Sequence, residues 1–569
     1  MTTSATHPNV ILILVDDMGF SDIGCFGSEI STPNLDALAA GGVRVTQFYN
    51  GARCCPTRAS LLTGLYAHQA GVGHMVRDLG TPAYQGYLNE RCVTIAEALR
   101  PAGYRTIMSG KWHCGGGYST DPDQTRREAG DPGQPTPLQR GFDFHFGTLA
   151  GAGSYFHPHA MFLEGEFVDA NDPRVQWGDA GKPHGGDQGE AGMRRTRVRE
   201  DSQPDGFYYT DAIGRYAALQ IERAKEDGVP FFLHAAYTAP HWPLHALPAD
   251  MARYRGRYRD GWDALRRRRH ARLKELGIVA DSWEITPRDE TAPDWESLTP
   301  ERQDWEDARM AAYAAQVEAM DRSVGRIVEA LRRTRQLDDT LILFLSDNGG
   351  CAEFLREDGT HGSCNPTTRD GRPVSIGNRV GFIPGPGDTY MSYDLPWANA
   401  SNTPFRLYKH WVHEGGIATP LIAHWPNGIE KEVRGGISHA VGHLIDLMPT
   451  ALDAAGATYA TERQGQAPPL EGESLLPVIR GDLDWRRSRT VFWEHEGNRA
   501  VRSAGDGRWK LVRKFPGDWE LYDMHADRTE LHDLMGHESD RGQEMATAWD
   551  EWAGRVGVQP WEVVRPGRR

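Results

Sequence analysis

The chain has 569 residues, more than one ordinary domain, and its 39 % hydrophobic and 25 % charged residues are typical of a folded globular protein. Its 78 acidic residues outnumber the 63 basic residues, and the net charge of −15 argues against nucleic-acid and membrane partners. Seven cysteines, an odd number scattered along a long chain, exclude a disulfide framework and favour a reducing, cytoplasmic location.

Three apolar runs without period-two alternation predict strands that are buried on both faces, as in parallel sheets. They are NVILILV at 9–15, PFFLHAAY at 230–237 and TLILFLS at 340–346. The first run is too short for a membrane span, and no basic segment precedes it. We therefore interpret it as a strand and predict neither a signal peptide nor a transmembrane segment.

Amphipathic helices between these runs complete an α/β pattern. The clearest helix has apolar residues at alternating spacings of three and four: Met310, Tyr313, Val317, Met320, Val324, Ile327 and Leu331. This alternation of strands and helices predicts a large, mostly parallel sheet flanked by helices. In such sheets the functional groups gather beyond the carboxyl ends of the strands, so we expect the site there.

The remaining segments predict loops, a polar helix and a second domain. Two stretches rich in Gly, Pro and charge, 115–205 and 349–403, predict long surface loops. The basic run at 264–276 predicts a helix with a solvated face rather than a nucleic-acid site. Short Trp- and Val-containing runs near the C-terminus predict a smaller α+β domain with an antiparallel sheet. The predicted domains are 1–430 and 431–569.

The stretch CCPTRASLLTG, which begins at Cys54, predicts a reactive helix N-terminus. Pro56 suits the first helical turn, and Arg58 adds a cation to the positive end of the helix dipole, so a developing negative charge is stabilised there. The spacing excludes a cysteine phosphatase, because only three residues separate Cys54 from Arg58, and a structural zinc site lacks a second ligand pair. An ordinary pair of buried thiols is the alternative for Cys54 and Cys55.

Two strand ends carry hard oxygen donors. Asp16 and Asp17 follow the first predicted strand, and Asp347 and Asn348 follow the third. Each pair alone is more often a turn or a helix cap, but two such pairs after buried strands indicate a divalent cation site. These ligand types suit Ca²⁺, Mg²⁺ or Mn²⁺ and do not choose among them.

The Cys-x-Pro-x-Arg element at Cys54 resembles the signature of the sulfatases. Further blocks resemble sulfatase blocks in the same order: PNVILILVDDMGFSDIGCFG, TPNLDALAAGGVRVTQFYN, GYRTIMSGKWH, YTAPHWPLHA, LILFLSDNGG, YKHWVHEGGIATPLIAHWP and WELYDMHADRTELHDL. The succession covers nearly the whole chain and most resembles the bacterial arylsulfatases. It implies an alkaline phosphatase-like fold and hydrolysis of sulfate esters to sulfate and an alcohol or phenol.

The resemblance also implies a modified nucleophile and a metal. In the family a maturation enzyme oxidises the first cysteine of this motif, here Cys54, to formylglycine, and a hydroxyl of the aldehyde hydrate attacks sulfur. The family's calcium position corresponds here to Asp16, Asp17, Cys54, Asp347 and Asn348. These roles are expectations from the resemblance, and so is the choice of Ca²⁺.

Cationic and imidazole side chains complete the implied site. The resemblance assigns Arg58 and Lys111 to holding the formylglycine, and Lys409 and His241 to the sulfate and the leaving-group oxygen. It assigns His113 to the base that breaks the covalent intermediate. Singly, a Lys or His at such a position is more often solvated or structural.

Several alternatives remain open at this stage. The same site in related enzymes suits phosphonate monoesters or phosphodiesters. Two alternatives are not hydrolases. One is a non-catalytic binder of sulfated ligands, and the other is a redox or metal-storage protein that uses Cys54 and Cys55. The sequence indicates neither the alcohol part of the substrate nor the oligomeric state.

Overall fold

The strands of the protein form three sheets in the computed structural model, which describes residues 7–115, 128–131, 133–177, 206–357, 364–459, 467–482 and 484–565. The strands are β1 Asn9–Asp16, β2 Val43–Tyr49, β3 Arg105–Gly110, β4 Phe144–Thr148, β5 Met161–Leu163, β6 Glu166–Val168, β7 Phe231–Pro240, β8 Thr340–Ser346, β9 Ser375–Ile376, β10 Thr389–Tyr390, β11 Ala418–His424, β12 Gly436–His443, β13 Val491–His495, β14 Asn498–Arg502, β15 Trp509–Arg513 and β16 Trp519–Asp523.

Helices accompany the strands along the described chain. They are α1 Pro33–Ala40, α2 Cys54–Thr63, α3 Ala67–Ala70, α4 Ile95–Leu99, α5 Tyr209–Asp227, α6 Pro248–Ala252, α7 Gly261–Glu275, α8 Pro300–Arg333, α9 Asp394–Ser401, α10 Glu414–Ile417, α11 Leu447–Ala455, α12 Leu476–Ile479, α13 Ser539–Val556 and α14 Trp561–Val564. None of these helices combines the length and the apolar character needed to cross a bilayer.

The three predicted strands lie side by side at the centre of a ten-stranded sheet. Its order is β12-β2-β11-β8-β1-β7-β3-β4-β5-β6, and β8, β1, β7, β3 and β4 run parallel to one another. Alternate residues of β1 face two separate apolar clusters, one on each side of the sheet. The strands are therefore covered on both faces, which explains their continuous apolar runs. This confirms the predicted α/β architecture.

Helix α8 contains the predicted apolar stripe and packs against α5 and β7. Thr299 caps its start, because the side-chain oxygen accepts a hydrogen bond from the Arg302 backbone N–H at 3.2 Å, and Pro300 occupies the first turn. All seven residues of the predicted stripe are buried. The spacing of the apolar residues therefore predicted correctly both this helix and its buried face.

One edge of the large sheet collects the ends of the strands that carry polar residues. The register pairs Val15 with Ser346, and Asp16 with Pro240, so the residues after β8 and β7 lie beside the end of β1. Strand β3 ends at Gly110, whose φ of 119° and whose distance from the Ala236 carbonyl leave no room for a side chain. Because β11 runs antiparallel, the segment before it reaches the same edge.

Two expectations about polar segments need correction. Part of the stretch predicted to be loop, 115–205, forms β4, β5 and β6, which extend the large sheet; their three to five residues are too few to show a period. The basic run does form helix α7, but Arg269 on it is buried and pairs with Asp22 at 2.6 Å. Arg267, Arg268 and Arg272 on the same helix are exposed, so the predicted solvated face is present, and the correction concerns Arg269, whose charge is neutralised inside the protein.

The C-terminal region contains the predicted antiparallel sheet, β13-β14-β15-β16, against which α13 packs. Strand β12 precedes it and pairs in parallel with β2 in the large sheet. The change from the large sheet to the small one therefore comes after residue 443. The division into 1–430 and 431–569 stays a prediction.

A buried ion cluster joins the small sheet to the large one. Glu414, which begins α10, accepts hydrogen bonds from Lys510 on β15 and from Arg528, each at 2.8 Å, and Lys510 also pairs with Glu530 at 2.7 Å. All four side chains have 0–1 % exposure. Burial raises the pKa of Glu414, but Lys510 and Arg528 outweigh it and bring the pKa down to about 2. Glu414 is therefore ionised at neutral pH.

We predict that Glu414→Gln destabilises the protein by about 3–5 kcal/mol, because it leaves two buried cations with one carboxylate fewer. Unfolding in urea at neutral pH, followed by tryptophan fluorescence, measures this change. The exposed Glu430 provides the matched control, and Glu430→Gln should stay within about 0.5 kcal/mol of the unmodified protein. Equal midpoints for the two variants would contradict the prediction.

Candidate active site

A buried arginine joins two of the strand-end carboxylates. Arg58, on the first turns of α2, places Nη2 at 2.8 Å from Asp347 Oδ2 and at 3.2 Å from Asp16 Oδ2. Its Nη1 donates to the Lys111 carbonyl at 2.9 Å. The side chains of Arg58, Asp16 and Asp347 have 0 % exposure. Helix α2 and the ends of β1, β3 and β8 therefore meet at one guanidinium.

Lys111, which follows β3, adds a second cation to Asp16. Its ammonium donates a hydrogen bond to Asp16 Oδ2, and neither side chain is exposed. Burial raises the pKa of Asp16, but Lys111, His241 and Arg58 hold it down at about 2. Burial and the charge of Asp16 instead raise the pKa of Asp347 well above its usual range. Of the two carboxylates, Asp16 therefore has the lower pKa and Asp347 the higher.

Asp17, the second residue of the first strand-end pair, contacts Asn348, Lys409 and His241. Asn348 Nδ2 donates to Asp17 Oδ1 at 2.7 Å, and Lys409 Nζ lies 2.9 Å from the same oxygen. His241 Nε2 is 3.3 Å from Asp17 Oδ2 and 3.3 Å from Lys409 Nζ. Asp17 has a φ of 65°, which turns the chain sharply after β1, and ligand atoms of Asp16, Asp17 and His241 lie within 4.8 Å of one another.

Charge and burial act in opposite directions on these two side chains. Burial lowers the pKa of Lys409, but Asp17 outweighs this and raises it well above the usual range, so that Lys409 is a fixed cation. Burial lowers the pKa of His241. Its Nδ1 lies 2.6 Å from the Trp242 carbonyl, to which it donates, so Nε2 is the nitrogen left to act on a ligand.

Helix α2 begins at Cys54, as Pro56 predicts. The ligand atoms of Cys54, Cys55 and His113 lie within 4.8 Å of one another, and all three residues are buried. A hydrogen bond from Cys55 lowers the pKa of the Cys54 thiol well below its usual range; burial opposes this shift, and Lys111 and His113 add to it. Cys54 is therefore a thiolate site at a helix tip.

His113 stands beside Cys54 as a neutral base. Burial and the charge of Lys111 lower its pKa to about 4. Its Nδ1 is buried and has no hydrogen-bond partner among the described residues. The backbone of His113 has a φ of 53°, a conformation that non-glycine residues rarely adopt outside functional sites and turns.

Two oxygen atoms among the strand-end groups have no hydrogen-bond partner in the described part of the chain. Asp16 Oδ1 and Asn348 Oδ1 are buried, and neither accepts a hydrogen bond from any described residue. A buried oxygen without a donor is costly unless a cation or water binds it. Together with the carboxylates of Asp17 and Asp347 they provide the hard oxygen donors that Ca²⁺ and Mg²⁺ prefer. The residues present therefore fit a divalent cation.

Sequence reasoning missed the residues at the opening of the site. Glu353, with 33 % side-chain exposure, lies 2.9 Å from Arg53 and 3.8 Å from Lys409, and it accepts a hydrogen bond from Trp242 Nε1 at 2.8 Å. Burial raises its pKa, but Lys409 and Arg53 hold it well below the usual range. No local pattern marks Glu353, because its partners come from three other segments.

Comparison with known proteins then identifies the family. A family model described as Sulfatase matches residues 8–457, which is most of the chain. The chain belongs to the sulfatase family. A second model, described as the C-terminal part of N-sulphoglucosamine sulphohydrolase, matches residues 405–548 of this sulfatase.

Individual relatives agree with this assignment. An uncharacterised sulfatase of Schizosaccharomyces pombe is 31 % identical and covers 97 % of this chain and 94 % of its own length. An arylsulfatase of Klebsiella aerogenes is 35 % identical over 79 % of this chain and 87 % of its own. The solved structure of Ps i-CgsB with k-i-k-neocarrahexaose shares the fold, with a TM-score of 0.62 at 24 % identity, and the match covers 99 % of this sulfatase and 98 % of that chain. The predicted family and enzyme class, a sulfuric ester hydrolase, are confirmed.

We predict that Arg58→Met destabilises this sulfatase by about 3–5 kcal/mol when divalent cations are removed with a chelator, because Asp16 and Asp347 lose their shared partner. Thermal and urea unfolding measure the change. Arg267→Met is the control, since Arg267 is exposed, and it should have an effect of about 0.5 kcal/mol or less. An Arg58→Met protein as stable as this control would show that the guanidinium does not stabilise the site.

Proposed function

We propose that this sulfatase hydrolyses sulfate monoesters, with aryl sulfates as test substrates, by means of a formylglycine made from Cys54 and a calcium ion beside it. The observation that carries the proposal is the convergence of Arg58, Lys111 and Lys409 with two pairs of cation-binding residues around one helix tip. A sulfate ester is a singly charged anion and needs such a positive site in a chain of net charge −15.

Cys54 is the residue to be modified, and the residues around it suit that purpose. Converted to formylglycine by a maturation enzyme, it supplies an aldehyde whose hydrate provides the attacking hydroxyl. The positive charges of Lys111 and Arg58 act on Cys54, so these two side chains are assigned to holding this hydroxyl by charge. His113, neutral and beside Cys54, is placed to take a proton from the second hydroxyl.

Calcium is proposed at the strand-end oxygens of Asp16, Asp17, Asp347 and Asn348, with an oxygen at position 54 as a further ligand. The unpartnered oxygens of Asp16 and Asn348 support a cation there, and the choice of Ca²⁺ rests on the family. When bound, such an ion lowers the free energy of negative charge on the sulfate and on the attacking oxygen.

Lys409 and His241 are proposed to act on the sulfate and on the leaving-group oxygen. They reach the site from the loop before α10 and from the end of β7, and both are held by Asp17. Lys409 contributes a permanent positive charge, whereas His241 Nε2 accepts or returns a proton. Offsetting the charge of a leaving oxygen in this way typically accelerates a reaction by about 10²–10⁴-fold.

The proposal specifies the sulfate group of the substrate and leaves its alcohol part open. Arylsulfatases and N-acetylgalactosamine-6-sulfatases are both among the relatives, so family membership does not fix the alcohol part. Glu353 and Arg53 at the opening are the side chains that such an alcohol would meet first. The maturation enzyme and the cytoplasmic location stay predictions.

Mass spectrometry of the Cys54 peptide from the native host, with kinetics of two variants, tests the nucleophile. We expect the mass of formylglycine at Cys54, and Cys54→Ser should lower kcat on the order of 10⁴- to 10⁶-fold, the scale for loss of a nucleophile. Cys55→Ser should lower it by about tenfold or less, since serine keeps a donor toward position 54. An intact thiol at Cys54, or equal losses in both variants, would refute the proposal.

The competing activity shares the same groups, and relative rates separate the two. We expect kcat/KM for an aryl sulfate to exceed that for a phenyl phosphonate monoester with the same leaving group. The leaving group must be matched, because its basicity alone changes the rate. A preference for the phosphonate by orders of magnitude would reassign this sulfatase to phosphonate or phosphodiester hydrolysis.

A further inference from the structure

A second cluster of metal-ligating side chains lies near the active site but shares no residue with it. A ring nitrogen of His74, a ring nitrogen of His495 and a carboxylate oxygen of Glu496 lie within 4.8 Å of one another. His410 contacts the same carboxylate from the other side, with Nδ1 at 3.1 Å from Oε2. These four residues are called the histidine cluster below.

The ligand atoms of the histidine cluster lie close enough together to bind one metal ion after small side-chain movements. His74 Nε2 lies 2.7 Å from Glu496 Oε1, and His495 Nε2 lies 3.6 Å from the same oxygen. Zinc bonds of ~2.0–2.1 Å in tetrahedral geometry put neighbouring ligand atoms about 3.3 Å apart. The 3.6 Å separation is close to this value, whereas the 2.7 Å separation is a hydrogen bond that a small movement of the side chains must open to admit an ion.

Unpartnered nitrogens indicate that the histidine cluster is incomplete as it stands. His495 has 0 % side-chain exposure, and neither of its ring nitrogens has a hydrogen-bond partner among the described residues. Nδ1 of His74 is likewise buried and without a partner. Burial also lowers the pKa of His495 well below its usual range, so its ring is neutral, the form that binds metals.

The fold brings the cluster together from three separate segments. His74 lies in the loop after α3, His495 is the last residue of β13 and Glu496 begins the turn to β14, and His410 directly follows Lys409. The rings of His74 and His495 are stacked at 5.6 Å with an interplanar angle of 10°, which fixes their orientation. Glu496 is 22 % exposed and His410 27 %, so an ion has a path from solvent.

We propose that His74, His495 and Glu496 bind a divalent transition-metal ion of the zinc type, and that His410 orients Glu496 through its other oxygen. Three protein ligands with one position left for water is a regular arrangement for zinc, and a hydrogen bond to a ligating carboxylate is its usual support. Arg53, the nearby cation, is paired with Glu353 and so has its charge balanced elsewhere. The ion ties the β13–β14 turn to the loop after α3.

Ligand chemistry separates this ion from the one proposed at the strand ends. Imidazole ligands select Zn²⁺ and similar transition metals, whereas carboxylate and amide oxygens select Ca²⁺ and Mg²⁺. The cluster does not depend on the proposed function, because none of its residues belongs to the proposed catalytic set. Two other sites need to be controlled for, because Cys54, Cys55 and His113 bring possible metal ligands together, and so do Asp16, Asp17 and His241, for which Ca²⁺ in the buffer competes.

The test uses the full chain with Cys54→Ala and Cys55→Ser, which removes the thiol site, in buffer containing Ca²⁺. Zn²⁺ is titrated by calorimetry, and Co²⁺ is used as a spectroscopic probe of the coordination. We expect one bound ion. His495→Gln and Glu496→Gln should each weaken its binding by about 100-fold or more, because loss of a residue that only supports a ligand already costs about 10- to 100-fold in affinity. His424→Gln, which changes a buried histidine outside the cluster, should bind as the parent does.

The protein that carries only Cys54→Ala and Cys55→Ser provides a second measurement, in case a histidine-cluster variant does not fold. X-ray absorption of its Zn²⁺ complex should show nitrogen and oxygen ligands, with the scattering of two imidazoles and no sulfur. Absence of stoichiometric Zn²⁺ binding, binding that both cluster variants retain, or a shell without imidazole would each overturn the proposal.

Discussion

Arg58 carries a charge with no access to water, and the active site is arranged around that charge. It is stabilised only because Asp16 and Asp347 are brought to it from two neighbouring strand ends. Three carboxylates, Asp16, Asp17 and Asp347, face three cations, Arg58, Lys111 and Lys409, so the protein's own charges nearly cancel. A divalent cation added to this set leaves an excess of positive charge, and an anionic ester then restores the balance. At the proposed metal site, binding of the ion and binding of a sulfate ester would thus be electrostatically coupled.

The convergence of the site follows from the order and register of the strands. Strands β8, β1, β7 and β3 are adjacent and parallel, so whatever follows each of them lies at one edge. This is why buried apolar runs ending in polar residues were sufficient to predict Asp16, Asp17, Asp347 and Asn348 as a group. Helix α8 was equally predictable, because thirty-four residues display their period clearly. The roles of Lys111, His113, His241 and Lys409 came from the family resemblance, since a single Lys or His carries no signal of its own.

Other features could not be predicted from local sequence. Strands β4 to β6 are too short to show alternation. The burial of Arg269 depends on Asp22, about 250 positions away in the chain, and the surroundings of Glu353 depend on Arg53, Trp242 and Lys409. The histidine cluster could not be predicted for the same reason, because His74 and His495 are far apart in the sequence and are brought together by the packing of β13 near the loop after α3. Contacts of this kind are set by tertiary packing, and composition or periodicity does not reveal them.

The ion cluster at Glu414 restricts the exchange of C-terminal regions between this chain and its relatives. Lys510 and Arg528 belong to the C-terminal region, yet the carboxylate they neutralise lies a few residues after Lys409, in the segment that leads into β11 of the large sheet. A chimera that joins the first half of this chain to the C-terminal region of a relative inherits an orphaned charge unless the transplanted region supplies matching cations. Replacement of this chain's C-terminal region therefore needs a donor with basic residues at the positions that contact Glu414, and the small sheet cannot be treated as an interchangeable module.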